Sequence, residues 1–284
     1  MISTLSDDKL EENLIHSTYN NELEKGKGIS NYIKKNTLLN NGIVFDFGTG
    51  TGGVLEIFKK SGFETFGVDL NDGFLKFGIN RGLNLRRGSI YELKNYPRKA
   101  NLIIASHVLE HLHNLDYYLR EFWDCLEDNG FLYIALPGLF VVQKLFRSLQ
   151  PFFVIEHLYY FTLLTLRKIL MENGFRLVAG NEEISAIFQK TSRKYNIKIS
   201  QDYIDDILFY LRIVDLPLPF NACKIIRNKR KLKNMILIYF ISFIYKTRII
   251  NVLAIIRILI GKKFKAGDLK KKFAQYFSFN KKIL

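Results

Sequence analysis

A cluster of glycines and one acid gives the clearest indication of chemistry in this 284-residue chain. Four glycines lie between residues 48 and 53, directly after the apolar run Ile43–Phe47, and Asp46 stands two residues before the first of them. Glycines are needed where a strand turns sharply into a helix and a ligand lies against bare backbone. Asp46 is unfavourable beside a pyrophosphate, but it suits a ligand that carries an amino group and a sulfonium cation.

The same loop has a second interpretation. Gly48, Gly50 and Gly53 also satisfy the dinucleotide-binding pattern G-x-G-x-x-G. Asp69, at the end of the next apolar run, suits the hydroxyl groups of a ribose in either case. A nicotinamide-dependent oxidoreductase therefore stays open as an alternative at this stage.

Histidines that could act as a general base come farther along the chain. His107 and His111 follow the apolar run Leu102–Ala105, and His157 precedes a predicted helix that begins near Thr162. Histidine is the usual general base because its ordinary pKa lies near neutral pH. We therefore take His157 and His107 as the candidate catalytic residues.

The segment from His107 to His111 also matches the zinc-peptidase pattern H-x-x-E-H through Glu110. That pattern requires a long helix that presents both histidines on one face. Here the segment lies at a predicted turn from a strand to a helix, so we predict no bound metal. A milder metal-binding interpretation of these residues stays open.

Short apolar runs alternate with helical stretches from about residue 42 to residue 180, which indicates an α/β fold with a doubly wound, mostly parallel sheet. The runs predict six strands, at residues 43–47, 65–69, 83–86, 102–105, 131–136 and 175–178. Right-handed crossovers place the carboxyl ends of such strands at one edge of the sheet, where ligands bind. One cleft is therefore expected to collect Asp46–Gly53, Asp69, Ser89, Ser106–His111 and Pro137.

Five segments in the right order resemble the motifs of class I S-adenosylmethionine-dependent methyltransferases. They are VFDFGTGTG (44–52), GVDL (67–70), IIASHVLEHL (103–112), LEDNGFLYIALP (126–137) and EHLYYFTLLTLRKILMENGF (156–175). The last of them is similar to a segment of the subgroup that includes ubiquinone-type O-methyltransferases and enzymes of polysaccharide and lipid pathways. The resemblance spans roughly residues 40–180 and implies the Rossmann-like methyltransferase fold.

The resemblance implies S-adenosyl-L-methionine as the cofactor and assigns roles within the cleft. The residues that it implies for cofactor binding are Asp46, Gly48, Thr49, Gly50, Gly52, Asp69, Leu70, Ser89, Ile90 and Ser106. Asp69 would bind the ribose hydroxyls, and the stretch from Gly88 to Ile90 would lie beside the adenine. The family more often has an aspartate at Ser89. Some ubiquinone-type relatives carry a glutamate where this chain has His107 and bind a divalent cation.

The positive charge of the chain belongs to its C-terminal fifth. Residues 1–223 contain 25 Lys and Arg against 26 Asp and Glu, whereas residues 224–284 contain 17 Lys and Arg and a single acid, Asp268. Such asymmetry is typical of a polyanionic partner. We expect an N-terminal helical segment at 1–41, a methyltransferase core at 42–183 and a helical, basic C-terminal region at 184–284. A last strand of the sheet within that third part stays open.

An amphipathic helix is predicted within the basic region. Its apolar residues recur at helical spacing, at Ile249, Val252, Leu253, Ile256 and Ile260. Such a helix can lie on an anionic membrane or pack on the protein itself. A membrane span is disfavoured because Arg248 falls near the middle of the apolar stretch 235–261.

The function expected from these observations is O-methylation of a saccharide or a lipid-linked small molecule. RNA methylation, less favoured for want of an N-P-P-Y-like segment, and a non-catalytic cofactor-binding subunit stay open as alternatives. The polar N-terminal 30 residues and the two distant cysteines, Cys125 and Cys223, favour a cytoplasmic location, with peripheral membrane association as an added expectation. The sequence leaves the oligomeric state open.

Overall fold

The computed structural model describes residues 7–142, 152–193 and 195–213. Its strands are β1 (Ile43–Phe47), β2 (Glu64–Asp69), β3 (Leu85–Arg87), β4 (Ala100–Ser106), β5 (Leu126–Ala135), β6 (Phe175–Gly180) and β7 (Ser185–Lys190). Its helices are α1 (Asp7–Asn36), α2 (Gly53–Lys60), α3 (Asp72–Asn80), α4 (Ile90–Lys94), α5 (Leu115–Cys125), α6 (Leu163–Glu172) and α7 (Gln201–Ile213). Single 3₁₀ turns follow β4 at Leu109–His111 and β5 at Leu139–Val141.

The seven strands form one sheet in the order β3-β2-β1-β4-β5-β7-β6. Strands β1 to β5 are parallel, and β7 runs antiparallel to both of its neighbours, β5 and β6. The chain moves outward from β1 through β2 to β3 and then returns to β4 on the other side of β1. The connections that leave β1 and β4 therefore diverge, and this reversal opens the cleft in which such sheets bind ligands.

Both faces of the sheet are covered, which explains why its strands are apolar almost throughout. On one face Phe45 lies in the cluster that includes Leu119 and Phe122 of α5. On the other face Val44 lies in the cluster that includes Ile33 of α1 and Phe58 of α2. Neighbouring strand residues point to opposite faces, so β1, β4, β5 and β7 each contribute buried residues to both clusters. The predicted doubly wound α/β fold is confirmed.

Helix α1 packs closely on α2, and a glycine permits the approach. A Cβ atom at Gly26 would lie 3.0 Å from the Cα atom of Val54 and 2.9 Å from Cγ1 of Ile57. These distances are shorter than carbon atoms tolerate, so any larger residue at position 26 would force the two helices apart. The N-terminal helical segment expected from the sequence thus lies against the helix that follows the glycine loop.

All six predicted strands are present, and the predicted start of one of them is wrong. Strand β5 begins at Leu126 and not at Phe131, because Leu126 pairs with Ala100 before a register shift. Strand β7 (Ser185–Lys190) lies in the third part of the chain, where the sequence left a last strand open without residue bounds because the tract after Asn181 looked polar with helical tendencies. Its apolar residues Ala186, Ile187 and Phe188 are few, but all three are fully buried between β5 and β6.

Several expectations about the C-terminal region lie outside the described residues. They include the amphipathic helix at 249–260 and the basic segments on either side of it. Within the expected third part, the structure describes β7 and α7. No helix in the described ranges is both long enough and apolar enough to cross a membrane. The three-part division of the chain stays a prediction.

Candidate functional site

The glycine loop between β1 and α2 is held by the neighbouring strand. The backbone N–H groups of Gly48 and Thr49 both donate to the carbonyl oxygen of Val68, at 2.9 and 3.0 Å. The N–H of Gly50 donates to Oδ2 of Asp69 at 2.8 Å, while Oδ1 of Asp69 accepts from the N–H of Asn71 at 2.9 Å. Asp69, predicted as a ribose ligand, therefore also fixes the loop.

Glu22 of α1 completes the loop from the opposite side. Its carboxylate accepts hydrogen bonds from the N–H of Gly53 at 2.9 Å, the N–H of Thr51 at 3.2 Å and the hydroxyl of Thr51. Gly50 has φ +57°, and a Cβ atom there would collide with the carboxylate. Glycine is required at position 50 for both reasons. The contact joins residues about 30 positions apart, and no sequence motif marks Glu22.

Three acidic side chains, Asp46, Glu22 and Asp69, lie close together at the loop. Burial raises the pKa of Asp46 to about 8, the carboxylates of Glu22 and Asp69 add to the increase, and the hydroxyl of Thr49 opposes it. Burial also raises the pKa of Glu22, against the lowering effect of its hydrogen bonds to Thr51 and Gly53. Three acids thus converge where the sequence predicts a cationic ligand, and a positive charge bound there would stabilise their ionised forms.

The other predicted cofactor residues lie along the same edge of the sheet. Leu70 follows β2 and is 70% exposed. Ser89 follows β3 and precedes α4, and the N–H of Gly88 donates to the carbonyl oxygen of Asp69 at 3.0 Å. The side chain of Ile90 is buried in the core, which leaves its backbone as the group able to contact an adenine.

A second part of the cleft opens beside the end of β4. A cavity of about 390 Å³ there is lined by Ser106, His107, Tyr133, Ala135, Lys25, Gly28, Ile29, Tyr32, Asn181 and Ser185. Four of these residues come from α1, Asn181 comes from the turn before β7, and Ser185 is the first residue of β7. Sequence reasoning found Ser106 and His107 in this set and missed the remaining eight, because they come from elements far apart in the chain.

His107 occupies an unusual backbone conformation at the cavity wall. Its φ is +57°, and its N–H donates to the carbonyl oxygen of Ala135 at 2.7 Å. A non-glycine residue in the left-handed region costs on the order of 1–3 kcal/mol, and such strain concentrates at functional sites. The ring of His107 is half exposed, so it can reach a bound molecule.

His157, the other candidate base, does not line this cavity. Its ring lies edge-on to that of His111, with the two ring centroids 4.8 Å apart. Both rings lie close to the buried side chain of Glu110, as does His107 from another side. The structure therefore gathers three of the predicted residues around Glu110 and separates the two candidate bases.

The sequence of the chain matches a known domain family. The family is described as "Methyltransferase domain", and the match covers residues 23–179. The match therefore includes the C-terminal part of α1, the glycine loop, β4 and all of β6 except its last residue. No curated protein sequence matches the chain.

Three solved structures illustrate the wider similarity. A S-adenosylmethionine-dependent methyltransferase of Thermotoga maritima is 16% identical, with a TM-score of 0.45, over 63% of this chain and 92% of its own. The magnesium protoporphyrin IX methyltransferase of Synechocystis, with bound SAH, is 15% identical, with a TM-score of 0.45, over 67% and 90%. A S-adenosylmethionine-dependent methyltransferase of Clostridium acetobutylicum is 15% identical, with a TM-score of 0.46, over 59% and 91%. All three are distant, and none indicates an acceptor for this chain.

The contact between Glu22 and the loop generates a stability prediction. Glu22→Ala leaves the N–H groups of Thr51 and Gly53 without their acceptor, so we expect the free energy of unfolding to fall by about 1–3 kcal/mol. The matched control is Glu24→Ala on the same helix, which removes only an exposed ion pair with Lys27 and should change stability by less than about 1 kcal/mol. Urea denaturation measures both. Equal stability of the two variants would contradict the role given to Glu22.

Proposed function

We propose that this chain, which belongs to the methyltransferase domain family, methylates a hydroxyl group of a saccharide or lipid-linked intermediate. The methyl donor is S-adenosylmethionine, since the chain is an S-adenosylmethionine-dependent methyltransferase. The nicotinamide-dependent alternative is wrong, since the family match covers the glycine loop. The proposal for the acceptor depends on one observation above all. The cavity beside β4 is bounded by a strained histidine and by hydroxyl, amide and ammonium groups, which suit a polar acceptor.

We place the cofactor along the glycine loop. Its ribose would bind Asp69, and its cationic methionine end would lie toward Asp46, through the loop or a water molecule. The raised pKa of Asp46 supports this orientation, because a buried acid that resists ionisation favours a cation as its neighbour. Gly48, Gly50 and Gly52 supply bare backbone against which the ligand can lie.

His107 is the general base in this proposal. Methyl transfer from a sulfonium is an in-line displacement, so the protein has to align the acceptor oxygen, exclude water and accept a proton. His107 lines the cavity directly after Ser106, a predicted cofactor residue, and so stands between the two parts of the cleft. His157 lies outside the cavity lining, which favours His107 over it as the base.

Exposed apolar residues support a lipid-linked acceptor. Phe153, Val154, Ile155 and Leu158 lie in the segment between β5 and α6, and Ile155 is 93% exposed. A group of exposed apolar residues of this kind is typical of contact with a lipid, a membrane surface or another protein. The basic C-terminal region, with 17 Lys and Arg against one acid, would add attraction to anionic headgroups.

The cofactor assignment predicts pH-dependent binding. Asp46 has to lose its proton to face a cation, so the affinity for S-adenosylmethionine should rise between pH 6 and 7.5 by up to about tenfold per pH unit. Calorimetry measures the affinity, and Asp46→Asn is the matched variant, in which most of the pH dependence should vanish.

The same raised pKa predicts how the stability of the ligand-free protein depends on pH. Its free energy of unfolding should fall as the pH rises from the ordinary pKa of aspartate to about 8, because the unfolded chain ionises Asp46 more readily. Identical profiles for wild type and Asp46→Asn would contradict the placement of the methionine end.

The acceptor class is tested with labelled cofactor. We expect the full chain to transfer the methyl group of S-adenosylmethionine to the lipid or saccharide fraction of a cell extract, and the labelled product to resist ribonuclease. Label that ribonuclease releases would favour the RNA alternative, for which the basic region would be the binding surface. Base-stable label is expected for an ether product, whereas base-labile label would indicate a methyl ester and exclude the proposed hydroxyl acceptor.

The choice of base is tested by turnover in the fraction that accepts the label. His107→Ala should lower kcat by about 10²-fold while the affinity for S-adenosylmethionine is kept. His157→Ala should have the smaller effect, and His113→Ala on the neighbouring surface serves as the control. A larger loss of kcat in His157→Ala than in His107→Ala would reverse the assignment, and full activity in both would remove histidine as the base.

A further inference from the structure

Glu110, His111 and His157 form a cluster that the proposed methyl transfer does not use. We propose that these three residues bind a divalent transition-metal ion of the zinc class. The sequence pattern pairs Glu110 and His111 with His107, and its position at a turn from a strand to a helix predicts no metal. In the structure the third group is His157, which lies 46 positions farther along the chain than His111 and which no pattern connects to the other two.

The geometry of the cluster fits a metal site after a small rearrangement. One ligand atom from each residue lies within 4.8 Å of the others. Ligand atoms bound to a tetrahedral zinc ion lie about 3.4 Å apart, given metal–ligand distances near 2.0–2.1 Å. Closure therefore requires movements of roughly 1 Å, which rotation of the two histidine rings can supply, since His111 is exposed and His157 is partly exposed.

The buried carboxylate of Glu110 favours a cation as its partner. Its side chain is only 1% exposed, and neither of its oxygens has a hydrogen-bond partner among the described residues. Nδ1 of His107 lies 3.6 Å from Oε1, which is too far for a hydrogen bond and forms an ion pair only if the His107 ring is protonated. A buried carboxylate without a partner is costly, so proteins pair it with a cation or use it to coordinate a metal.

Hydrogen bonds already orient His111 as a ligand. Its Nδ1 lies 2.9 Å from the carbonyl oxygen of Glu156, and as the donor there it leaves the lone pair of Nε2 available. Metal-binding histidines commonly donate their other ring N–H to a carbonyl in this way. The N–H of Leu158 also donates to the carbonyl oxygen of Glu110 at 2.7 Å. The segment that carries His157 is therefore fixed against the turn that carries the other two residues.

The ligand set decides the class of metal. Two imidazole nitrogens and one carboxylate suit zinc, whereas magnesium and calcium prefer ligands that are all oxygen. Three protein ligands leave a fourth position for water or another oxygen ligand. Metal binding at these residues does not depend on which acceptor the enzyme methylates, so it can be tested without one.

The experiment titrates the full chain, after chelator treatment, with Zn²⁺ alone in a calorimeter and with Co²⁺ in an absorption spectrometer. We expect one Zn²⁺ per chain and a visible Co²⁺ band that Zn²⁺ abolishes. His157→Ala, His111→Ala and Glu110→Gln should each weaken Zn²⁺ binding at least about tenfold. His113→Ala, next to the cluster but outside it, should bind Zn²⁺ as wild type does.

His107→Ala distinguishes between two possible sets of metal ligands. The structural cluster contains His157, and the sequence pattern contains His107 instead. Wild-type affinity in His107→Ala together with weakened binding in His157→Ala supports the proposal. The opposite result, or no stoichiometric binding by the wild-type chain, overturns it. Glu110 is buried and Glu110→Gln can fail to fold, but His157→Ala alters a partly exposed ring and decides the matter alone. Retained S-adenosylmethionine affinity and an unchanged circular dichroism spectrum confirm that each variant is folded.

Discussion

The rest of the site depends on the way two carboxylates hold the glycine loop by its backbone N–H groups. Asp69 binds the loop from the neighbouring strand, and Glu22 binds it from α1. Both contacts draw a negative charge toward the partial positive charge at the start of α2, which compensates part of the cost of burying it. The glycines of the loop have no side chains that could restrict its conformation. The hydrogen bonds that the loop N–H groups donate to Asp69 and Glu22 restrict it instead.

This arrangement creates a site that is complementary to a cation before any ligand is present. Asp46 lies close to both carboxylates. Burial is the main cause that raises its pKa to about 8, and repulsion from Glu22 and Asp69 adds to the increase. A sulfonium and an amino group would relieve that repulsion, and a pyrophosphate would increase it. The glycine spacing of the loop fits both a methyl-donor site and a dinucleotide site. The acidic residues around the loop favour the methyl-donor site, because its ligand is a cation.

The residues after β4 divide between two surroundings within one short turn. His107 faces the cavity that α1 and β7 help to enclose, whereas Glu110 is buried and His111 lies against His157. The positive φ of His107 is the local feature that makes this division possible, because it redirects the chain directly at the end of the strand. The proposed base and the proposed metal ligands can therefore be neighbours without sharing a residue.

The sequence by itself determined the class of fold, six of the seven strands and the loop that carries Asp46, Gly48 and Gly50. Those features depend on apolar runs and on residues adjacent in the chain, so short-range patterns report them. Only the tertiary structure revealed the contacts of Glu22 with the loop, the position of His157 beside Glu110 and His111, the cavity and the insertion of β7 between β5 and β6. Each of these depends on contacts between segments tens of residues apart, where a polar side chain looks the same in the sequence whether it faces water or a buried backbone N–H.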